Sequence, residues 1–257
     1  MASVILNAFA LSLVSGLATG LGGGIVAFMP KLSMRTYDLL LGFAAGVMVA
    51  IATLGLIHEA VSTNGVLLTV AGVVLGAAVL FAFDRYLPHE HEELPFAVAN
   101  SAAYRRGLLL FTAMTLHNVP EGLAVGTSYA AAPHLGLLLA VGIALHNIPE
   151  GIAIAGPFRA CGMSRWRAAA WAAISGLSEP LAALAGAAFA GLAAPLLPLS
   201  LAFAGGAMLY VVSDELIPES HSHGYEHQAT FGFIAGFLLL DRKSTRLNSS
   251  HSLTSRM

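Results

Sequence analysis

The chain has 257 residues, of which 57% are hydrophobic and only 10% are charged, and its formal net charge is −2. Soluble domains carry about 25% charged residues, so this chain cannot cover its surface with charge, and a lipid bilayer is its expected solvent. The sequence has no large basic patch, which argues against a nucleic-acid-binding protein. Its single cysteine, Cys161, excludes an internal disulfide bond.

Apolar runs of the length that crosses a bilayer, about 20 residues, recur along the chain. They predict an all-α integral membrane protein with one transmembrane domain over residues 1–241. The first run lacks a basic leading region, so we interpret it as a span and not as a signal peptide. The last run is short. The eight predicted spans are Ser3–Met29, Leu39–Ala60, Gly65–Phe83, Gly107–Tyr129, Leu135–Pro157, Ala168–Leu192, Pro195–Ile217 and Ala229–Asp241.

The basic residues lie in alternate loops, which predicts the orientation in the membrane. The loops after spans 2, 4 and 6 carry none, whereas the loops after spans 1, 3 and 5 carry Lys31, Arg35, Arg85, Arg105, Arg106, Arg159, Arg165 and Arg167. Basic loops stay in the cytoplasm. The loop over residues 84–106 is therefore predicted to be cytoplasmic, and both termini are predicted to lie outside.

The last 16 residues, RKSTRLNSSHSLTSRM from Arg242 to Met257, differ from the rest of the chain. They are polar, and their four basic residues would lie on the side that the charge rule disfavours. We interpret residues 242–257 as a non-native tail; the alternative is a genuine polar extension. The functional interpretation uses residues 1–241 only.

An internal repeat appears at a constant offset of 160 residues. Ser15 to Leu17 matches Ser175 to Leu177, and Glu59 matches Glu219. Spans 1–3 therefore resemble spans 6–8. Because matching spans are five apart, the two copies are oppositely oriented, and inverted repeats of this kind are typical of transporters. The alternative is a chance likeness between two helices rich in glycine and alanine.

The motif H-N-x-P-E-G occurs twice within apolar runs, from His117 to Gly122 and from His146 to Gly151. His and Glu four residues apart share one helix face. A proline deprives one backbone carbonyl of its helical partner, which is tolerated at membrane depth where the chain lines a cavity or finds another partner. Each motif thus predicts a polar face inside its span.

Three acidic residues, Glu121, Glu150 and Glu179, fall in consecutive spans without an intramembrane Lys or Arg. Each charge costs about 2.5–3.5 kcal/mol at a span centre, so these carboxyls must be protonated, be solvated or share a cation. Imidazole with carboxylate suits zinc and its first-row neighbours, whereas calcium and magnesium prefer oxygen ligands. A proton relay and a satisfied core histidine are the alternatives; the duplication favours a metal site.

These features together resemble the ZIP (Zrt/Irt-like) family of divalent metal transporters, in its prokaryotic type. The resemblance covers residues 1 to about 241 and implies a 3+2+3 arrangement of spans, a bacterial plasma (inner) membrane and an elevator-like motion. It also implies uptake of zinc, and variably of iron, manganese, cobalt or cadmium, into the cytoplasm. Oligomeric state stays open, a homodimer being one alternative.

The resemblance further implies a two-metal centre between spans 4, 5 and 6. The implied ligands of the first ion are His117, Glu121, Glu150 and, as a further ligand, His146. Those of the second ion are Asn118, Asn147 and Glu179, with Glu121 and Glu150 bridging.

Further polar residues lie at the ends of spans and in loops. Span 2 ends at His58 and Glu59, facing the external mouth, and span 7 ends with Asp214, Glu215 and Glu219, facing the cytoplasmic mouth. They are either ligands along the path or solvated helix ends. The loop histidines, which either capture metal or are simply polar, are His89, His91, His221, His223 and His227. For the repeat partners Met48 and Met208 core packing is favoured over contact with a soft metal.

Two other functions compete with metal transport. An intramembrane metalloenzyme needs a water-activating base beside its ligands, but the sequence has no H-E-x-x-H motif and an inverted repeat has no evident use in hydrolysis. We therefore predict that the chain is not an enzyme. A proton-coupled carrier of an organic solute would use the glutamates but would not need the duplicated His-Asn.

Overall fold

The computed structural model describes residues 2–28, 33–85, 102–192 and 197–254, and all regular structure in these ranges is helical. The predicted all-α class is confirmed. The helices are α1 Ala2–Phe28, α2 Met34–Ala50, α3 His58–Asn64, α4 Val66–Asp84, α5 Ala102–Ala131, α6 Pro133–Ala160, α7 Arg165–Gly176, α8 Ser178–Leu192, α9 Leu197–Val211, α10 Ile217–Ser220 and α11 Glu226–Thr254.

Six helical segments in the described ranges are long and apolar enough to cross a membrane. They are Ala2–Phe28, Met34–Thr63, Tyr104–Ala131, Pro133–Ala160, Arg165–Ala190 and Leu197–Ser220. The third predicted span corresponds to a shorter apolar helix, Val66–Ala82. The eighth lies inside α11, which continues to Thr254 through the polar tail. The chain is therefore an integral membrane protein.

Three predicted spans are not regular α-helices throughout. Spans 2 and 7 contain π-helical segments at Ile51–Ile57 and Val212–Leu216, which overlap when shifted by 160 residues. The sixth predicted span breaks at Leu177, where α7 gives way to α8. Pro180 lacks the N–H that would bond to the carbonyl of Gly176, so the break places Glu179 in the first turn of α8.

The closest helix contacts follow the offset of the sequence repeat. A methyl group on Gly46 would overlap the carbonyl of Phe233, and one on Gly206 would overlap the carbonyl of Val73. A methyl group on Gly16 would overlap the carbonyl of Gly176, and one on Gly176 would overlap the carbonyl of Gly16. These two glycines are themselves repeat partners. Glycine is required where backbones approach this closely. In consequence α2 packs on α11 in the way that α9 packs on α4.

The two motif helices lie in the middle of the bundle. Gly122 of α5 meets the backbone of α8 at Glu179, and Gly151 of α6 meets the backbone of α1 at Thr19. The same side of the bundle holds a continuous apolar core that includes Met48, Met114 and Phe158. These contacts fix α5 and α6 beside α1 and α8 and enclose the polar residues of both motifs.

Candidate metal centre

The duplicated motifs meet in the interior, where α5 and α6 bring together His117, Glu121 and Glu150. One ligand atom from each lies within 4.8 Å of the others, and all three side chains are buried. His117 Nε2 is 3.4 Å from Glu121 Oε1 and 3.3 Å from Glu150 Oε1. Two carboxylates and an imidazole thus converge in a site closed to solvent.

His146 is also buried and completes this cluster. Its Nδ1 lies 3.2 Å from the carbonyl oxygen of Gly142, and its Nε2 lies 2.7 Å from Glu121 Oε1. Because a carbonyl oxygen only accepts, Nδ1 is the donor, and in a neutral ring Nε2 is then an acceptor. An acceptor nitrogen facing a carboxylate requires a cation between them, either a proton or a metal ion.

Several polar atoms of the site have no hydrogen-bond partner within the described part of the chain. Both carboxylate oxygens of Glu150, Oε2 of Glu121 and Nδ1 of His117 belong to this group. An unsatisfied buried polar atom costs about 1–3 kcal/mol, and a charged one more. Three of these four atoms are carboxylate oxygens, which a bound cation would satisfy.

Glu179 lies next to the first cluster and is held by two neighbours. Ser15 Oγ donates to its Oε2 at 2.7 Å, and Asn147 Nδ2 donates to its Oε1 at 2.5 Å. Its position in the first turn of α8 is one at which the helix dipole favours negative charge. The acidic side chain of the sixth predicted span thus faces the motif of α6.

The two motif asparagines are oriented in the same way. Asn147 Nδ2 donates to the carbonyl of Ser15 at 2.9 Å, and Asn118 Nδ2 donates to the carbonyl of Ser175 at 3.0 Å. Neither amide oxygen has a hydrogen-bond partner among the described residues. Each amide therefore has its nitrogen fixed and its oxygen available. Ser15 and Ser175 are partners in the sequence repeat. That pairing is the sequence feature that could have pointed to their shared contact with the motif asparagines.

Met48 is fully buried in the apolar core, as the sequence analysis favoured, but it also touches the site. Its Sδ lies 3.0 Å from His117 Nε2. Met208, the repeat partner, is equally buried. The core interpretation of Met48 is correct but incomplete.

The residues predicted at the mouths stand apart from the central cluster. His58 is exposed at the start of α3, with Glu59 half-buried beside it, and Asp214 is exposed in the second π-helical segment, with Glu215 half-buried. Glu219 lies in α10 and accepts hydrogen bonds from other helices.

The predicted loop histidines fall in different settings. His221 Nδ1 bonds to the carbonyl of Ile217, and His227 is exposed on α11. His223 is mostly buried and contacts Asp38 at 2.7 Å. His89 and His91 lie outside the described residues.

A family model and several relatives match this chain. The family model described as the ZIP zinc transporter matches residues 88–240. The zinc transporter GufA of Myxococcus xanthus is 42% identical over 238 residues, covering 89% of this chain and 94% of that protein.

Two further relatives extend this similarity. The zinc transporter ZIPB of Bordetella bronchiseptica is 39% identical over 240 residues, covering 87% of this chain and 75% of that protein. The zinc transporter ZupT of Corynebacterium aurimucosum is 36% identical over 254 residues, covering 93% of this chain and 96% of that protein. With a matching family model and full-length relatives at this identity, the chain belongs to the ZIP zinc transporter family.

Proposed function

We propose that this protein carries divalent transition-metal ions, zinc first among them, across the membrane and into the cytoplasm through the site between α5, α6 and α8. The observation that supports this most directly is the buried group of His117, Glu121 and Glu150, of whose carboxylate oxygens three have no hydrogen-bond partner in the described residues. The relatives named above as zinc transporters supply the choice of metal.

The spacing of these ligands suits a first ion. Zinc binds nitrogen and oxygen at about 2.0–2.2 Å, so two ligands of a tetrahedral zinc ion lie about 3.4 Å apart. His117 Nε2 is 3.3 Å from Glu150 Oε1 and 3.4 Å from Glu121 Oε1. His146 is a further ligand, and the Met48 thioether lies close enough to His117 to join when a softer ion such as cadmium is bound.

A second ion would use the oxygen atoms on the other side of the two glutamates. The amide oxygens of Asn118 and Asn147 are available, and Glu179 lies within hydrogen-bond distance of Asn147. Glu121 and Glu150 would bridge the two ions, each through its second oxygen. The result is a binuclear centre with one nitrogen-rich and one oxygen-rich position.

We also propose an eight-span, 3+2+3 arrangement with both termini outside. The shorter helix Val66–Ala82 and the apolar part of α11 are the two spans added to the six long ones. Symmetry supports this: the π-helical segments and the glycine contacts both repeat at an offset of 160 residues.

An elevator motion would move α1 and α5–α8 against the other helices. Backbone-to-backbone glycine contacts join helices within each of these groups, for example Gly122 to Glu179 in one and Gly76 to Phe203 in the other. Across the groups the contacts include longer side chains, such as Met48 with His117. Rigid packing within the groups and adaptable contacts between them favour sliding. In this cycle His58 and Glu59 receive the ion outside, and Asp214 and Glu215 release it inside.

The competing functions are less well supported. The family consists of transporters and not of enzymes, so the chain is not an enzyme. A carrier of organic solutes would not need two buried imidazoles beside two buried carboxylates. It would also work without metal, which makes the two functions separable in one assay.

The test is zinc uptake into liposomes that contain a trapped zinc indicator, with the wild-type chain compared with Glu150→Ala. We expect uptake by the wild type, inhibition by cadmium and no uptake by Glu150→Ala. Glu226→Ala is the matched control because Glu226 is exposed at the start of α11, and it should transport normally. Wild-type liposomes that neither bind nor take up zinc would overturn the proposal.

A further inference from the structure

A second group of polar side chains, partly buried, lies near the start of α5, eleven residues before the first motif. Arg106 Nη2 is 2.6 Å from Glu219 Oε1 and 2.5 Å from His223 Nε2. Tyr37 donates a hydrogen bond to the same oxygen of Glu219 at 3.2 Å, and His223 Nδ1 contacts Asp38 Oδ1 at 2.7 Å. One positive nitrogen is thus held between a carboxylate and an imidazole.

The partners of His223 determine its tautomer. A guanidinium group only donates hydrogen bonds, so Nε2 of His223 is the acceptor and Nδ1–H donates to Asp38. This is the arrangement that orients histidine ligands of metal ions, in which the distal nitrogen bonds to a carboxylate and the proximal one keeps its lone pair. His223 is therefore prepared as a ligand, and the Arg106 nitrogen lies where an ion would bind.

The two acceptor atoms have a suitable separation. His223 Nε2 and Glu219 Oε1 are 3.9 Å apart. The zinc–nitrogen and zinc–oxygen bonds sum to about 4.0–4.3 Å, so one ion can bind both atoms at a wide angle. With these two ligands bound, water or a neighbouring carboxylate would take the remaining coordination positions of the ion.

Asp38 adds the second observation. The residue is fully buried, and its Oδ2 has no hydrogen-bond partner within the described part of the chain. A buried carboxylate with one oxygen on His223 and the other without a hydrogen-bond partner among the described residues places negative charge beside the imidazole. This group therefore favours additional positive charge.

We propose that His223 and Glu219, with Asp38 behind them, form a divalent-cation site at the cytoplasmic mouth, and that Arg106 occupies it until a metal ion displaces the guanidinium. The proposal rests on the proposed function, because it takes the transported metal as the ligand. Arg106 and His117 are eleven residues apart on α5, or about 16 Å at 1.5 Å per residue.

This placement gives Arg106 a defined role in the cycle. The guanidinium joins α5, which carries the first motif, to α10 and the segment after it. A metal ion arriving at His223 and Glu219 would break this link, and departure of the ion would restore it. A tethered cation that competes with the cargo keeps affinity at the mouth low enough for release.

The experiment measures zinc binding by the purified full-length chain in detergent, using competition with a fluorescent chelator. The background is Glu121→Ala/Glu150→Ala, which removes the central site. Four further substitutions are added one at a time: His223→Ala, Arg106→Gln, Arg106→Lys and, as the control, His227→Ala. His227 is an exposed histidine four residues after His223, in the first turn of α11.

We expect His223→Ala to lower the amount of bound zinc by about one equivalent and His227→Ala to leave the amount unchanged. Arg106→Gln should tighten binding about tenfold, because it removes a like charge at contact distance, whereas Arg106→Lys should tighten it less. A purely structural ion pair predicts no gain from Arg106→Gln. Equal binding by His223→Ala and His227→Ala, or no tightening in Arg106→Gln, would overturn the proposal; Glu219→Gln replaces His223→Ala if that variant does not fold.

This outcome is separable from that of the proposed function. Failure of transport through the central site is seen in the liposome comparison of wild type with Glu150→Ala. The mouth site is measured in a background that lacks the central ligands, so either result can fail while the other holds.

Discussion

The hydroxyl of Ser15 donates a 2.7 Å hydrogen bond to the carboxylate of Glu179, across 164 residues of sequence. Ser15 also accepts a hydrogen bond from Asn147 through its carbonyl oxygen. One residue of α1 therefore sets the position of two ligands that we assign to the second metal ion. Ser15 and Ser175 are partners in the sequence repeat, so a substitution of Ser175 is the natural control for one of Ser15.

Ser15→Ala should weaken zinc binding at the second position while leaving the first intact. Partners that orient ligands are worth about 10–100-fold in metal affinity, and the lost hydroxyl is one such partner. Zinc titration of the purified protein should show two classes of site in the wild type and a weakened second class in Ser15→Ala.

Ser175→Ala is the control for this change. The contact of Asn118 with the Ser175 carbonyl is shorter, at 3.0 Å, than its 3.4 Å contact with the hydroxyl, so the main bond survives the substitution. We expect a smaller loss of affinity than in Ser15→Ala. Equal losses in both variants would mean that the hydroxyl of Ser15 has no special role.

Met48→Leu should change the choice between metals more than it changes folding. Leucine conserves the volume of methionine, and such exchanges cost less than about 1.5 kcal/mol. The substitution removes a thioether 3.0 Å from His117, and soft ligands favour softer ions. We therefore expect cadmium to inhibit zinc uptake less effectively in Met48→Leu, measured as the cadmium concentration that halves uptake.

Met208→Leu controls for the loss of a buried methionine. Met208 is the repeat partner of Met48 and is equally buried in the core. Cadmium inhibition should be the same in Met208→Leu as in the wild type. If both variants shift together, the thioether of Met48 acts through packing and not as a ligand.

Gly151→Ala should separate α6 from α1 and disturb the site. The added methyl would overlap the carbonyl of Thr19, and overpacking of this kind costs about 1–3 kcal/mol. Since Asn147 and Glu150 lie within one turn of Gly151, their ligand atoms would move with the helix. We expect a lower thermal denaturation temperature and reduced zinc uptake.

Gly156→Ala tests whether this effect comes from the close contact. Gly156 lies on the same helix, but a methyl group there meets nothing within 4 Å. Alanine is also the better helix former. The variant should be as stable as the wild type or slightly more so, and a matching loss of stability would point to backbone effects common to both positions.

The sequence alone predicted the residues of the central site because their pattern is local. His and Glu four apart define a face, and duplication of the motif pairs two such faces. The contacts of Ser15 and Ser175 with the motif asparagines depend on tertiary packing across 132 and 57 residues. No local pattern contains that information.

The sequence singles out Glu219 and His223 of the second polar cluster but not their neighbours Asp38 and Arg106, for a different reason. The second predicted span began at Leu39, so Asp38 counted as a loop residue, whereas the structure begins α2 at Met34 and buries Asp38. Arg106 was used only to orient the chain. Hydropathy places the ends of spans poorly, because a charged residue near the start of a helix is assigned to the loop even when the folded chain buries it.

Deletion of residues 242–257 should leave folding and transport unchanged. The tail extends α11 to Thr254, but the close contacts of this helix with α2 involve Ala229, Phe233 and Phe237, all before the tail. The contacts named here therefore remain when the tail is removed. Thermal denaturation and liposome zinc uptake of a chain ending at Asp241 should therefore match those of the full chain. A loss of both would show that the polar extension is needed to complete the eighth span, and our interpretation of it as non-native would be wrong.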